Sequence, residues 1–158
     1  MRKRVVTPIS QKSLASGEGW LKLDKLASVE VTSEDADSPI ESALLDGESP
    51  GWRAAQPGSQ TIRLIFDPSQ QLQRIWLAFE DTEGSRTQEF VLRWSPDAGK
   101  SFHEIVRQQW NFSLPVGVRE VEDYAVDLFD VTLLELIIVP DKSGGEAQAS
   151  LKKMRLAG

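Results

Sequence analysis

From Leu26 onward the chain alternates apolar and polar residues with a period of two. Val29 and Val31 stand against Ser28, Glu30 and Thr32, which predicts a strand with one buried face. Ser33-Glu34-Asp35-Ala36-Asp37-Ser38-Pro39 then reads as a polar loop. Ser38 as N-cap and Pro39 as first helical residue predict a short helical turn near residues 39–45, through Ile40, Ala43 and Leu44, ended by Asp46-Gly47. Strand patterns follow in series. Ile62, Leu64 and Phe66 form one buried set, and Leu72, Ile75, Leu77 and Phe79 form the next after a turn at Asp67-Pro68-Ser69. Phe90, Leu92 and Trp94 lead to a turn at Ser95-Pro96-Asp97-Ala98-Gly99; Phe102, Ile105 and Val106 continue the pattern, then Tyr124, Val126 and Leu128. Leu133–Val139 is apolar except for Glu135, as expected of a central strand covered on both faces, and residues 147–156 close the chain.

Short strands punctuated by Pro, Gly and Asp, with no long helical period, predict an all-β sandwich or barrel. We read residues 1–20 as an N-terminal arm or edge strand and residues 21–158 as one sandwich domain, a size that builds a core without staples. The chain has no cysteine, which excludes disulfides and thiol chemistry. Its net charge of −6 opposes both nucleic acid and anionic membranes as partners. No apolar stretch follows Arg2-Lys3-Arg4, so no leader is expected and the cytoplasm is the expected location.

Catalytic chemistry is thinly supplied. His103 is the single histidine, expected outward beside an inward Phe102, and there is no nucleophile elbow, zinc-ligand spacing or phosphate-cradling glycine loop. The acid pairs Glu34-Asp35, Glu80-Asp81 and Glu122-Asp123 would serve a glycosidase only if two carboxylates faced one cleft, and solvated loop acids are the commoner case. We therefore expect a binding protein, not an enzyme, with no cofactor. The aromatics are more informative. Phe66, Phe79, Phe90, Trp94 and Phe102 fall on inward strand positions, whereas Trp20, Trp76, Trp110 and Phe112 do not fit as simply. An aromatic face exposed at a loop would suit the apolar side of a pyranose ring.

Several segments in order resemble the galactose-binding-like (discoidin) family. Ala43–Ala54, containing Asp46-Gly47 and Trp52, resembles its D-G…W element; Gln60–Asp67 and Leu72–Phe79 match strands; Trp94-Ser95-Pro96-Asp97-Ala98-Gly99-Lys100-Ser101-Phe102 is similar to its hairpin; Ala149–Leu156 resembles its closing strand. The resemblance spans roughly residues 26–158 and implies an all-β antiparallel jelly-roll β-sandwich. It implies a loop-end binding site, here formed by residues 33–38, 80–88 and 110–118, with Glu80, Asp81, Arg86, Trp110 and Phe112 as ligand-binding candidates. It also implies a calcium site beside the D-G loop, with an acidic ligand on the last strand. This chain has Lys153 there, so we expect no metal; instead the ammonium would enter a vestigial site and pair with Asp46 and loop carbonyls. Glu80 stands where galactose binders often carry Arg, so galactose specificity does not carry over. The expected function is that of a non-catalytic carbohydrate-binding module with a loop-end site for neutral glycans. The alternative is an intracellular protein-interaction module on the same scaffold, which makes the expected partner a carbohydrate or a protein.

Overall fold

The computed structural model describes residues 19–47, 50–81, 86–112 and 118–158; residues 1–18 of the expected arm lie outside it. Eight strands carry the fold: β1 (Ala27–Val31), β2 (Trp52–Pro57), β3 (Gln60–Asp81), β4 (Arg86–Ser95), β5 (His103–Phe112), β6 (Val118–Val139), β7 (Gln148–Leu151) and β8 (Lys153–Ala157). Among the described residues two single-turn helices, α1 (Leu23–Leu26) and α2 (Glu41–Leu44), accompany them. Every strand pairing is antiparallel. Among the described residues no helix is long and apolar enough to cross a membrane.

The sandwich is organised by two 22-residue strands, β3 and β6, which pair from Gln60↔Ile138 to Asp81↔Val118. Their register shifts between Ile65 and Arg74, and there the pair passes from one layer to the other. The first half of β3 and the second half of β6 lie in a five-strand layer ordered β1-β3-β6-β4-β5. The remaining halves form a three-strand layer with β8. The expected turn at Asp67-Pro68-Ser69 is thus a corner within one strand. Proline has no N–H to give to a ladder, so it is tolerated where the pairing slips.

Alternation places Ile62, Leu64 and Phe66 of one layer against Ile75, Leu77, Phe79, Met154 and Leu156 of the other, all buried. Phe79 meets Phe90 across the interior with ring centroids 5.4 Å apart. The β2–β7 ribbon seals one flank through Trp52, Ala54, Ala149 and Leu151. The turn at 39–45 is present as α2, but no side chain caps it; the Ile40 amide instead donates to Glu34 Oε1 at 3.2 Å.

Phe102 departs from expectation. It is half-buried on the outside of the five-strand layer, with the Arg93 guanidinium 4.1 Å and that of Arg63 5.9 Å from its ring centroid. Both arginines serve Glu135, which is 1% exposed and accepts from Arg63 Nε at 2.8 Å and Arg93 Nε at 2.7 Å. The three occupy one register row, so the single charge within the apolar run of β6 is paired from both sides and roofed by an aromatic ring.

Candidate functional site

The loop end follows from the register. Val31↔Ile62, Glu89↔Val139, Arg86↔Phe112 and Asp81↔Val118 bring residues 32–38, 80–81, 86–88, 110–112 and 118 to the same end of the sandwich. They do not form one cluster. Three strand spacings separate β1 from β4, roughly 14 Å at about 4.8 Å each. Residues 33–38 are also largely committed to their own loop. Asp37 N donates to Asp35 Oδ1 at 3.0 Å, and Ser33 Oγ donates to Gln60 Oε1 at 2.8 Å.

The expected ligand-binding residues are dispersed. Glu80 is exposed on the outer face of β3, opposite Arg119 in register. Arg86 is 9% exposed, and its Nε donates to the Pro140 carbonyl at 2.7 Å, which ties β4 to the segment after β6. Trp110 is half-buried, its ring 5.1 Å from Phe79 and 5.4 Å from Phe90. These two side chains point between the layers because even-numbered residues of β4 face the core and, from Leu92↔Val106 to Arg86↔Phe112, pair with even-numbered residues of β5; Arg86 presents little surface to a ligand, and Trp110 only part of its ring. The side chains of Asp81 and Phe112, with residues 82–85 and 113–117, lie outside the described residues.

Among the described side chains the acid pairs do not gather into one cluster. Adjacent residues of a strand face opposite sides, so Asp123 takes a two-pronged ion pair from Arg74 at 2.9 and 2.6 Å while Glu122 faces inward. Burial raises the Glu122 pKa, the 3.0 Å hydrogen bond from Tyr124 opposes this, and Glu120 adds repulsion. His103 is exposed, its ring 5.1 Å from that of Trp94. Among the described residues no three His, Cys, Asp or Glu side chains gather to hold a metal.

Lys153 is placed by β8 against the loop after α2. Its ammonium donates to the carbonyls of Ser42 (3.1 Å), Leu45 (2.9 Å) and Gly47 (3.1 Å). Burial holds its pKa below the ordinary lysine value; Arg155 adds to that and the Asp46 carboxylate opposes it. Asp46 itself is bound by Arg155 at 2.6 Å and Lys22 at 3.6 Å. Of the partners expected for the ammonium, the carbonyls are in direct contact, and the carboxylate acts from one residue away through a second pair of cations.

One surface was not singled out as a site by sequence reasoning. Trp76 lies on the outer face of the three-strand layer, between Arg155 of β8 and Asp123 of β6. Beside it runs a trough of about 600 Å³ lined by Gly47, Pro50, Trp76, Ala78, Arg119, Lys152 and Lys153. The signal was present in the phase of Trp76, opposite to Ile75 and Leu77.

This architecture is found in solved structures. The family 32 carbohydrate-binding module of NanJ from C. perfringens, in complex with galactose, superposes with a TM-score of 0.62 over 89% of this chain and 98% of that module, at 12% identity. A second family 32 module from Clostridium perfringens, in complex with GalNAc-β-1,3-galactose, gives 0.62 over 88% and 99% at 19% identity. The family 32 module of AlyQ, in complex with 4,5-unsaturated mannuronic acid, gives 0.59 over 84% and 95% at 13% identity. No protein-family model and no curated protein matches the sequence. The chain has the galactose-binding-like β-sandwich fold of family 32 carbohydrate-binding modules. Structures sharing the fold include a module from a family 31 glycoside hydrolase of Clostridium perfringens and a region spanning 26% of a Ruminococcus gnavus family 29 fucosidase; at such identities the likeness is one of fold.

Proposed function

We propose that the protein is a non-catalytic carbohydrate-binding domain that holds neutral glycans at its loop end. The observation that supports this most directly is the match over nearly the whole length of dedicated glycan-binding modules, 98% and 99% of two of them. In this reading Glu80, with Asp81 and Phe112, supplies the contacts at the loop surface, while Arg86 and Trp110 fix the floor beneath. A carboxylate accepts hydrogen bonds from sugar hydroxyls, which fits a neutral polyol.

The distribution of apolar surface favours a glycan over a protein partner. The described exposed large apolar residues, Leu45, Val121 and Phe129, stand on a loop, a strand face and the sheet corner, and do not build a continuous patch. A glycan array followed by calorimetric titration tests the proposal. Weak binding of a neutral mono- or disaccharide is expected, reduced about tenfold by Glu80→Ala, equivalent to about 1.4 kcal/mol. A blank array together with stoichiometric capture of a protein partner would overturn it.

A further inference from the structure

We propose that the outer face of the three-strand layer, centred on Trp76, is a second binding surface that takes a uronate-bearing oligosaccharide. The ligand class rests on the carbohydrate reading above; the location is centred on β3, β6 and β8 and shares only Glu80, opposite Arg119, with the loop-end reading.

Three observations meet here. The first is an aromatic ring where the sheet pattern does not need one. Trp76 is half-buried on the outside of the sheet, and its neighbour toward the loop end on the same face of β3 is Ala78. The small side chain leaves a step beside the indole, and the trough of about 600 Å³ occupies that step. Ala78 itself is fully buried beneath its neighbours, so a pyranose in the trough would meet the exposed part of the indole with its apolar face.

The second is charge. The chain as a whole carries −6, yet this face and its rim gather Arg74, Arg119, Lys152, Lys153 and Arg155 against Asp46, Glu80 and Asp123. A local excess of cations on an acidic protein concentrates anionic ligands at that face. Arg74 pairs with Asp123 and Arg155 with Asp46, so the surplus rests on Arg119, Lys152 and Lys153 against Glu80, which faces Arg119 in register. Arg119 is exposed at the mouth of the trough, where a guanidinium can take a sugar carboxylate through paired N–H donors.

The third is rigidity. The trough borders the Lys153 clasp, so its Gly47 wall is tied to β8 by the 3.1 Å contact of Lys153 with the Gly47 carbonyl. A preformed wall lowers the ordering cost of binding.

The test is titration of the intact chain with an α-1,4-linked oligogalacturonate and with its methyl-esterified form, following tryptophan fluorescence and heat. The acid form should bind at least ten times more tightly than the ester, and more weakly as NaCl is raised, because exposed charge pairs are screened. Trp76→Ala and Arg119→Glu should each weaken binding about tenfold or more. Arg119 is exposed, so its variant keeps the fold and guards against a loss caused by unfolding of the Trp76 variant. The proposal is overturned if the oligogalacturonate does not bind, if the ester binds equally well, or if Arg119→Glu leaves the affinity unchanged. Neutral-glycan binding that persists alongside such a result would leave the loop-end reading standing and remove only this second surface.

Discussion

Lys153 Nζ lies 2.9 Å from the Leu45 carbonyl oxygen, and the same ammonium reaches the carbonyls of Ser42 and Gly47 at 3.1 Å each. One cation therefore joins the end of α2 and its following loop to the last strand. Lys153→Met should leave three convergent acceptors to water and cost about 1–3 kcal/mol in urea unfolding. Lys153→Glu should be worse without metal, since a carboxylate would face those oxygens. Millimolar calcium should then raise the melting temperature of Lys153→Glu while leaving the parent unchanged, because the carbonyls, Asp46 and the new carboxylate are all oxygen donors suited to that ion. A variant indifferent to calcium would show that the loop is not shaped around a cation.

Gly51 provides a steric counterpart at the same seam. It has a φ of +87°, and a Cβ there would sit 2.6 Å from the Leu151 carbonyl oxygen and 2.8 Å from Lys152 Cα. Backbone cannot swing aside as a side chain can. Gly51→Ala should therefore cost about 2–4 kcal/mol, combining the left-handed φ with the clash. Gly58, also at positive φ (+91°) but with open space around its missing Cβ, should tolerate Ala at roughly 1 kcal/mol. Equal losses at the two positions would remove the clash from the explanation.

The β4–β5 turn is closed by Asp97, whose carboxylate accepts from Ser101 Oγ (2.7 Å), Ser95 Oγ (2.7 Å) and Ser101 N (2.9 Å). These bonds, the Ser101 hydroxyl foremost, hold its pKa down to about 2, from an ordinary value of 3.8. The unfolded chain takes up this proton first, so Asp97 stabilises the fold above pH 3.8 and loses that contribution as pH falls toward 2. Asp97→Asn should flatten this part of the stability–pH curve measured by denaturant titration between pH 4 and 2. An unaltered slope would assign the acid sensitivity to other carboxylates.

What could be read from the sequence follows from what a period of two reports. It gives the buried face of each strand, so Ile62, Leu64, Ile75, Leu77, Phe90 and Leu92 were expected inside and are inside. It does not report which layer a strand joins, and β3 and β6 change layer along their length. Nor does it register a bulge: the slip between Leu92 and Arg93 belongs to the segment where Phe102 departs from the expected inward position. Phe102 is accordingly outside, over Arg93. The apolar run of β6 correctly implied cover on both faces, but the cover over Glu135 is two arginines and a phenylalanine ring, drawn from three other parts of the chain. The candidate site was less legible. Arg86 and Trp110 are close in sequence to the end loops, yet their strand phase turns them toward the core. Trp76 was marked by its phase, but its cationic surroundings come from β6 and β8, whose pairing with β3 no local pattern reveals.

Trp110 separates a structural role from a ligand-contacting one. Its ring packs on Phe79 and Phe90 at 5.1 and 5.4 Å, and those two rings meet each other at 5.4 Å, so the three form one cluster closing the interior beneath the loops. Trp110→Ala should open a cavity against two fully buried phenylalanines and cost about 3–5 kcal/mol in denaturant unfolding. Trp110→Phe keeps an aromatic edge in the cluster and should cost roughly 1–2 kcal/mol, leaving a folded protein whose binding can be measured. If the ring serves the core, the affinity of Trp110→Phe for a neutral sugar should stay within about twofold of the parent, against the roughly tenfold loss expected for Glu80→Ala. A tenfold loss in Trp110→Phe with stability preserved would mean that the exposed part of the indole meets the sugar directly, and would move the loop-end site inward from Glu80 onto the aromatic cluster.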